Sequence, residues 1–219
     1  MTVAEEKAGV ASEPDTRVGI FGGTFNPIHA GHVRAAYEFL KSASLDRLLV
    51  IPDKIPPHKQ IEGEDDPWLR FEMTKLAIEA HPDYDGRVVV SDMEITSEGK
   101  SFTYYTIMKL LAPDTELYLY CGTDMLMCLD TWFRAKDFLP LITVAYAGRE
   151  EQSAEFSARV REKKEMLERD FGAKIFDIPL APIETSSSEI RAKIRAGEDV
   201  SHLLTPEVDT FIKERSLYR

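Results

Sequence analysis

Two rhythms of apolar residues alternate along the chain. Short runs at residues 17–22, 48–51, 87–90, 116–120, 141–147 and 174–178 are apolar at nearly every position, or every second one. Such runs suit strands of a sheet covered on both faces. Between them lie longer segments with apolar residues three and four apart, the period of a helix. Val33, Tyr37 and Leu40 mark one over 30–43, and Leu69, Met73, Leu76 and Ala77 mark another over 67–80. Ser101 or Thr103 is placed to cap a helix running to 111, stopped by Pro113. A short helix is expected over 132–139. The charge-rich stretch 150–170 carries Phe156, Val160 and Leu167 on one stripe and reads as a solvated amphipathic helix. Thr185 to Gly197 has the form of a capped helix, and Thr205-Pro206-Glu207 begins a last one.

Strands alternating with helices predict an α/β protein. The expected form is a Rossmann-like, doubly wound, mainly parallel sheet in a single domain with C-terminal helices. Residues 1–15, rich in Ala and Glu and without period, are expected to be a flexible tail, leaving the domain at 16–219. In such sheets ligands sit beyond the carboxyl ends of the strands, so the loops that follow strands carry the interest.

Composition narrows the function. With 27 Lys+Arg against 38 Asp+Glu the formal net charge is −11. That disfavours nucleic acid and anionic membranes as partners, and an anionic substrate would need positive charge gathered locally. No apolar run approaches the roughly 20 residues that span a bilayer, and the first residues lack the pattern of a signal peptide. Cys121 and Cys128 sit among apolar residues and are expected to be buried thiols. The expected location is the cytoplasm. Oligomeric state is left open, with a homo-oligomer among the alternatives.

The loop after the first strand reads Gly22-Gly23-Thr24-Phe25-Asn26-Pro27-Ile28-His29-Ala30-Gly31-His32. Strand, glycine turn and helix start together form an anion site, because unpaired backbone N–H groups and the helix dipole face one point. Its glycines match neither the dinucleotide fingerprint nor the Walker loop. His29 and His32, three apart, are expected to share one face of the first helical turn. Late in the chain, Thr185-Ser186-Ser187-Ser188-Glu189-Ile190-Arg191 is either a redundant N-cap or a second phosphate clamp. Lys54-Ile55-Pro56-Pro57-His58-Lys59 is either a solvated basic loop or the local reversal of charge an anion needs. Gly122-Thr123-Asp124 could meet ribose hydroxyls, and Trp132 either stacks on a flat ring or belongs to the core. The sequence offers no metal-ligand spacing and no nucleophile elbow.

Taken in order, these motifs, with Ser101-Phe102-Thr103 and Trp132-Phe133, resemble the H-x-G-H nucleotidyltransferase superfamily. More narrowly they resemble the bacterial nicotinate-mononucleotide adenylyltransferases. The resemblance implies adenylyl transfer from ATP to nicotinate mononucleotide, giving deamido-NAD and pyrophosphate. It implies His29, His32, Lys59 and Arg191 as catalytic residues, and Gly22, Gly23, Thr24, Phe25, Gly31, Ser187 and Ser188 at the ATP phosphates. Asn26, His58, Thr103, Gly122, Asp124 and Trp132 would bind the acceptor, and Lys54 would add positive charge. Mg²⁺ would be carried mainly by the phosphates, with no protein metal site. Other acceptors, such as nicotinamide mononucleotide or phosphopantetheine, and a catalytically silent nucleotide sensor are the alternatives. The chain departs from the pattern at Thr185, at Phe133 and at Ala147-Gly148-Arg149.

Overall fold

A central sheet of six strands is built from the runs that are apolar on both faces. The computed structural model describes residues 16–56, 66–148, 153–180 and 185–219. The strands are β1 (Thr16–Gly23), β2 (Arg47–Pro52), β3 (Val88–Val90), β4 (Thr115–Gly122), β5 (Thr143–Ala147) and β6 (Lys174–Asp177). All neighbours are parallel, in the order β3-β2-β1-β4-β5-β6. The strand order therefore reverses between β1 and β4, and the crevice beyond their carboxyl ends is where such sheets take ligands.

The helices are α1 (Ala30–Ser42), α2 (Pro67–Glu79), α3 (Thr103–Leu110), α4 (Thr123–Cys128), α5 (Ala135–Phe138), α6 (Ala154–Phe171), α7 (Ser187–Arg195) and α8 (Pro206–Glu214). Successive strand residues point to opposite cores. Phe21, Leu48, Val50 and Ala145 meet Phe39 and Leu40 of α1, Met73 of α2, Ile190 of α7 and Val208 of α8. Ile20, Leu49, Ile51, Leu119 and Val144 meet Ile107 of α3, Phe138 of α5 and Leu167 of α6. Each large apolar side chain so buried stabilises the fold by about 1.5–3 kcal/mol. The expected α/β architecture is the observed one. Among the described residues, no helix is long and apolar enough to cross a membrane.

Several local expectations are corrected. The single helix over 132–139 does not form: Trp132 is extended (φ −68, ψ 149), Arg134 is left-handed (φ 56), and α5 starts only at Ala135. A helix that the pattern did not announce, α4, instead begins directly after β4. Neither Ser101 nor Thr103 caps α3, whose N-cap is Phe102 without a side-chain bond. The Ser101 hydroxyl instead accepts from the Lys54 N–H at 2.9 Å. On α2 the buried face is Arg70, Met73, Thr74, Ala77 and Ile78, while Leu69 and Leu76 of the expected stripe are half-buried. Of the two cysteines only Cys121 is buried; Cys128 is exposed at the end of α4. The flexible tail expected at residues 1–15 lies outside the described residues.

Candidate active site

The loop after β1 is fixed by what surrounds it rather than by its own hydrogen bonds. Phe25 adopts a left-handed backbone (φ 48), and its ring packs edge-on against Phe21 and against His32. A Cβ on Gly23 would stand 2.8 Å from the Phe25 ring, so only glycine fits beneath it. Gly22 is different. A Cβ there would meet no atom within 4 Å, which leaves its backbone open to an approaching ligand. The Phe25 side chain is therefore packed into the structure, while the backbone at Gly22 stays open.

His29 is the N-cap of α1, with extended backbone (φ −143, ψ 170), so it is not part of the first turn as expected. The two rings nevertheless come together, with centroids 3.7 Å apart at 31°. The His29 N–H donates to His32 Nδ1 at 3.3 Å. In the neutral ring this places the His32 hydrogen on Nε2, a donor suited to a phosphate oxygen. His29 is only 4% exposed, and burial pushes its pKa down to about 4. It is a neutral imidazole near pH 7 rather than a cation.

An arginine that no sequence motif singles out holds this loop. Arg70 of α2 is 1% exposed and donates through Nη1 to the carbonyls of Thr24 and Asp53, each at 2.8 Å. The same nitrogen pairs with Asp53 Oδ1 at 3.2 Å, and Nη2 reaches the Lys54 carbonyl at 3.3 Å. The Thr24 hydroxyl donates to Asp53 Oδ2 at 2.8 Å. The end of β2 and the glycine loop are thereby tied into one buried network. Asp53 follows a strand at the ligand end of the sheet, the same position in a strand–loop unit that marks the glycine loop, and that placement is its one sequence signal.

The serine-rich segment caps α7 and ties that helix to the loop before α1. Ser186 is the N-cap of α7 and accepts from the Glu189 N–H at 3.2 Å. Ser187 Oγ donates to the Pro27 carbonyl at 2.9 Å. Arg191 donates through Nη1 to the Asn26 carbonyl at 2.7 Å and through Nη2 to Ser188 Oγ at 3.3 Å. The N-terminus of α7 is thus fastened beside the N-terminus of α1. The buried atoms His29 Nδ1, Thr185 Oγ1 and Arg191 Nε have no hydrogen-bond partner among the described residues. Such atoms are rare in native proteins unless a water or ligand serves them.

Gly122, Thr123 and Asp124 lie at the carboxyl end of β4, next to β1, with Asp124 exposed on the first turn of α4. Thr103 opens α3, and its neighbour Phe102 packs on Phe133 with centroids 4.7 Å apart. That contact brings the Trp132-Phe133 segment against the start of α3, with Trp132 half-buried. A cleft of about 440 Å³ flanks α3, lined in part by Glu94, Ser101, Phe102 and Thr106. It includes no residue of the loop or clamp. Burial raises the pKa of Glu94, opposed by hydrogen bonds from Thr106 and Ser101.

The expected gathering of positive charge is only partly visible. Arg191 is in place, whereas Arg70 is paired with Asp53 and Lys54 Nζ donates to the Ser97 carbonyl at 3.0 Å. His58 and Lys59 lie outside the described residues. Among those described, no group of three or more His, Cys, Asp or Glu could hold a metal ion.

The cytidylyltransferase-like family profile matches residues 20–193. A probable nicotinate-nucleotide adenylyltransferase of Clostridium botulinum is 37% identical over 203 residues, covering 93% of this chain and 98% of that relative. One of Carboxydothermus hydrogenoformans is 37% identical over 208 residues, with the same coverages. Among solved structures, the Plasmodium falciparum nicotinic acid mononucleotide adenylyltransferase complexed with NaAD superposes with a TM-score of 0.73. At 18% identity, over 93% of this chain and 97% of that one, it shows the shared fold.

Proposed function

The chain belongs to the nicotinate-nucleotide adenylyltransferases, within the cytidylyltransferase-like family, and from that premise we propose that it transfers the adenylyl group of ATP to nicotinate mononucleotide. The products are deamido-NAD and pyrophosphate, and the reaction is a cytoplasmic step of NAD biosynthesis. The observation that carries this reading is the junction of Ser187 with Pro27 and of Arg191 with Asn26, which sets two helix N-termini side by side.

The chemistry suits such a site. An oxygen of the acceptor's phosphate attacks the α-phosphorus, the bond from that phosphorus to the bridging oxygen breaks, and pyrophosphate leaves. The nucleophile is already ionised near pH 7, its second pKa being about 6, so no protein base is needed. The barrier is the approach of one polyanion to another, and it is lowered by positioning and by donors aimed at developing charge. On this reading the open backbone at Gly22 and Gly23 and the first turn of α1 hold the triphosphate. His32 donates through Nε2 near the α-phosphate, and His29 supports it as a neutral imidazole. Ser188 and Arg191 hold the β- and γ-phosphates, while Ser187 keeps the clamp closed on the loop. Asp124 and Gly122 take the acceptor's ribose, Thr103 and Trp132 its ring, and Asn26 its phosphate side. The proposed roles of His58 and Lys59 fall in the undescribed segment. Mg²⁺ carried by the triphosphate would shield its charge.

Pyrophosphate release with ATP and nicotinate mononucleotide, beside nicotinamide mononucleotide, tests the proposal. Release with the nicotinate acceptor at much the higher kcat/KM is expected. Preference for the amide would reassign the acceptor, and no release with either would point to a nucleotide sensor.

A further inference from the structure

We propose that Tyr218 is a positioning residue for adenylyl transfer, acting through Asn26 of the phosphate loop. The inference rests on the activity proposed above. The Tyr218 hydroxyl donates to Asn26 Oδ1 at 2.5 Å, across 192 residues of sequence. The carbonyl of the same Asn26 accepts from Arg191 at 2.7 Å. Asn26 is thus held at its backbone by α7 and at its side chain by the segment that follows α8. It stands between the glycine turn and the two histidines, where a shift of the loop would displace both.

The chain after α8 is shaped to reach this point. Arg215, Ser216 and Leu217 return N–H bonds to the carbonyls of Phe211, Lys213 and Ile212. Ser216 (φ 52) and Tyr218 (φ 64) both take the left-handed conformation that side chains other than glycine's disfavour. Leu217 and Tyr218 pack against the core shared by α1, α2 and α8, and the Tyr218 hydroxyl lies 4.0 Å from Met73 Sδ. A phenylalanine would make the same packing contacts, so packing does not account for the hydroxyl. Its partner does. An amide whose oxygen is engaged is left with its two N–H groups as donors, the polarity that a phosphate requires. Fixing the oxygen on Tyr218 therefore selects which end of the Asn26 amide faces substrate.

Tyr218→Phe removes one atom from this arrangement. We expect kcat with ATP and nicotinate mononucleotide to fall roughly tenfold, the worth of one hydrogen bond. The KM for ATP should stay within about twofold and the melting temperature within about 2 °C, since packing is kept. In an Asn26→Ala background the same substitution should cost nothing further, because the coupling partner is gone. Unchanged kcat in Tyr218→Phe, an equal loss with and without Asn26, or lowered melting with intact kcat would each overturn the inference. An active wild type with an indifferent variant refutes this inference alone, whereas an inactive wild type refutes the proposed function and this inference together.

Discussion

The hydroxyl of Ser187 donates to the carbonyl oxygen of Pro27 at 2.9 Å, joining positions 160 residues apart. One end of that bond is the first residue of α7 and the other lies in the loop leading to α1. Because both helices start at this junction, their backbone N–H groups and dipoles add at a single place. The proposed triphosphate site is thereby assembled from segments far apart in the sequence. Arg191 completes the junction by bonding both Asn26 and Ser188.

Arg191→Lys tests whether that fork matters beyond its charge. Lysine keeps the charge but not the planar set of donors. We expect kcat to fall by about 10–100-fold, with the melting temperature nearly unchanged. A lysine variant as active as wild type would mean that charge alone suffices.

The Arg70–Asp53 pair should carry much of the stability of the ligand end of the sheet. Asp53→Ala removes a carboxylate partner of the buried Arg70 guanidinium, which costs about 3–5 kcal/mol. Thr24→Val removes a single hydrogen bond to Asp53 and should cost about 1 kcal/mol. Urea midpoints measure both, and similar small losses in the two variants would contradict the ranking.

Burial of His29 predicts a pH dependence of stability. The folded chain resists a proton until about pH 4, while the unfolded chain takes one up below its ordinary value of 6.5. Protons therefore favour the unfolded state, and stability falls as pH drops from 6.5 towards 4, flat for this group outside that window. Between pH 7 and pH 5 the loss should be about 2 kcal/mol, read from denaturant midpoints. His29→Asn should remove that part of the slope. An identical slope in the variant would assign the effect elsewhere.

Trp132→Ala should raise the acceptor's KM about tenfold, the scale of a lost stacking contact, and leave that of ATP nearly unchanged. Equal effects on both substrates would sink the assignment of Trp132 to the acceptor ring.

Much of the architecture is legible in the order of residues alone. The strands stand out because a sheet covered on both faces needs runs such as Leu48 to Ile51. The loop and clamp stand out because glycines at a strand end, and serines with arginine at a helix start, have few other uses. Arg70 does not. Helical periodicity assigns the buried face of α2 to Leu69, Met73, Leu76 and Ala77, and passes over Arg70 because a charged residue is normally exposed. Its burial depends on Asp53 and on carbonyls of a loop that sequence spacing cannot bring near. The break at Arg134 depends on a left-handed residue in a segment of ordinary helical composition. Tyr218 gives no local signal, because its role comes only from its partner, Asn26.

In the proposed reaction the acceptor's own phosphate attacks in a single step while the chain holds two anions in line. ATP made chiral at the α-phosphorus by sulfur substitution tests this directly with nicotinate mononucleotide as acceptor. A dinucleotide of inverted configuration at phosphorus is the predicted product. Retention, which requires an adenylylated side chain and two displacements, or the absence of any dinucleotide would contradict it.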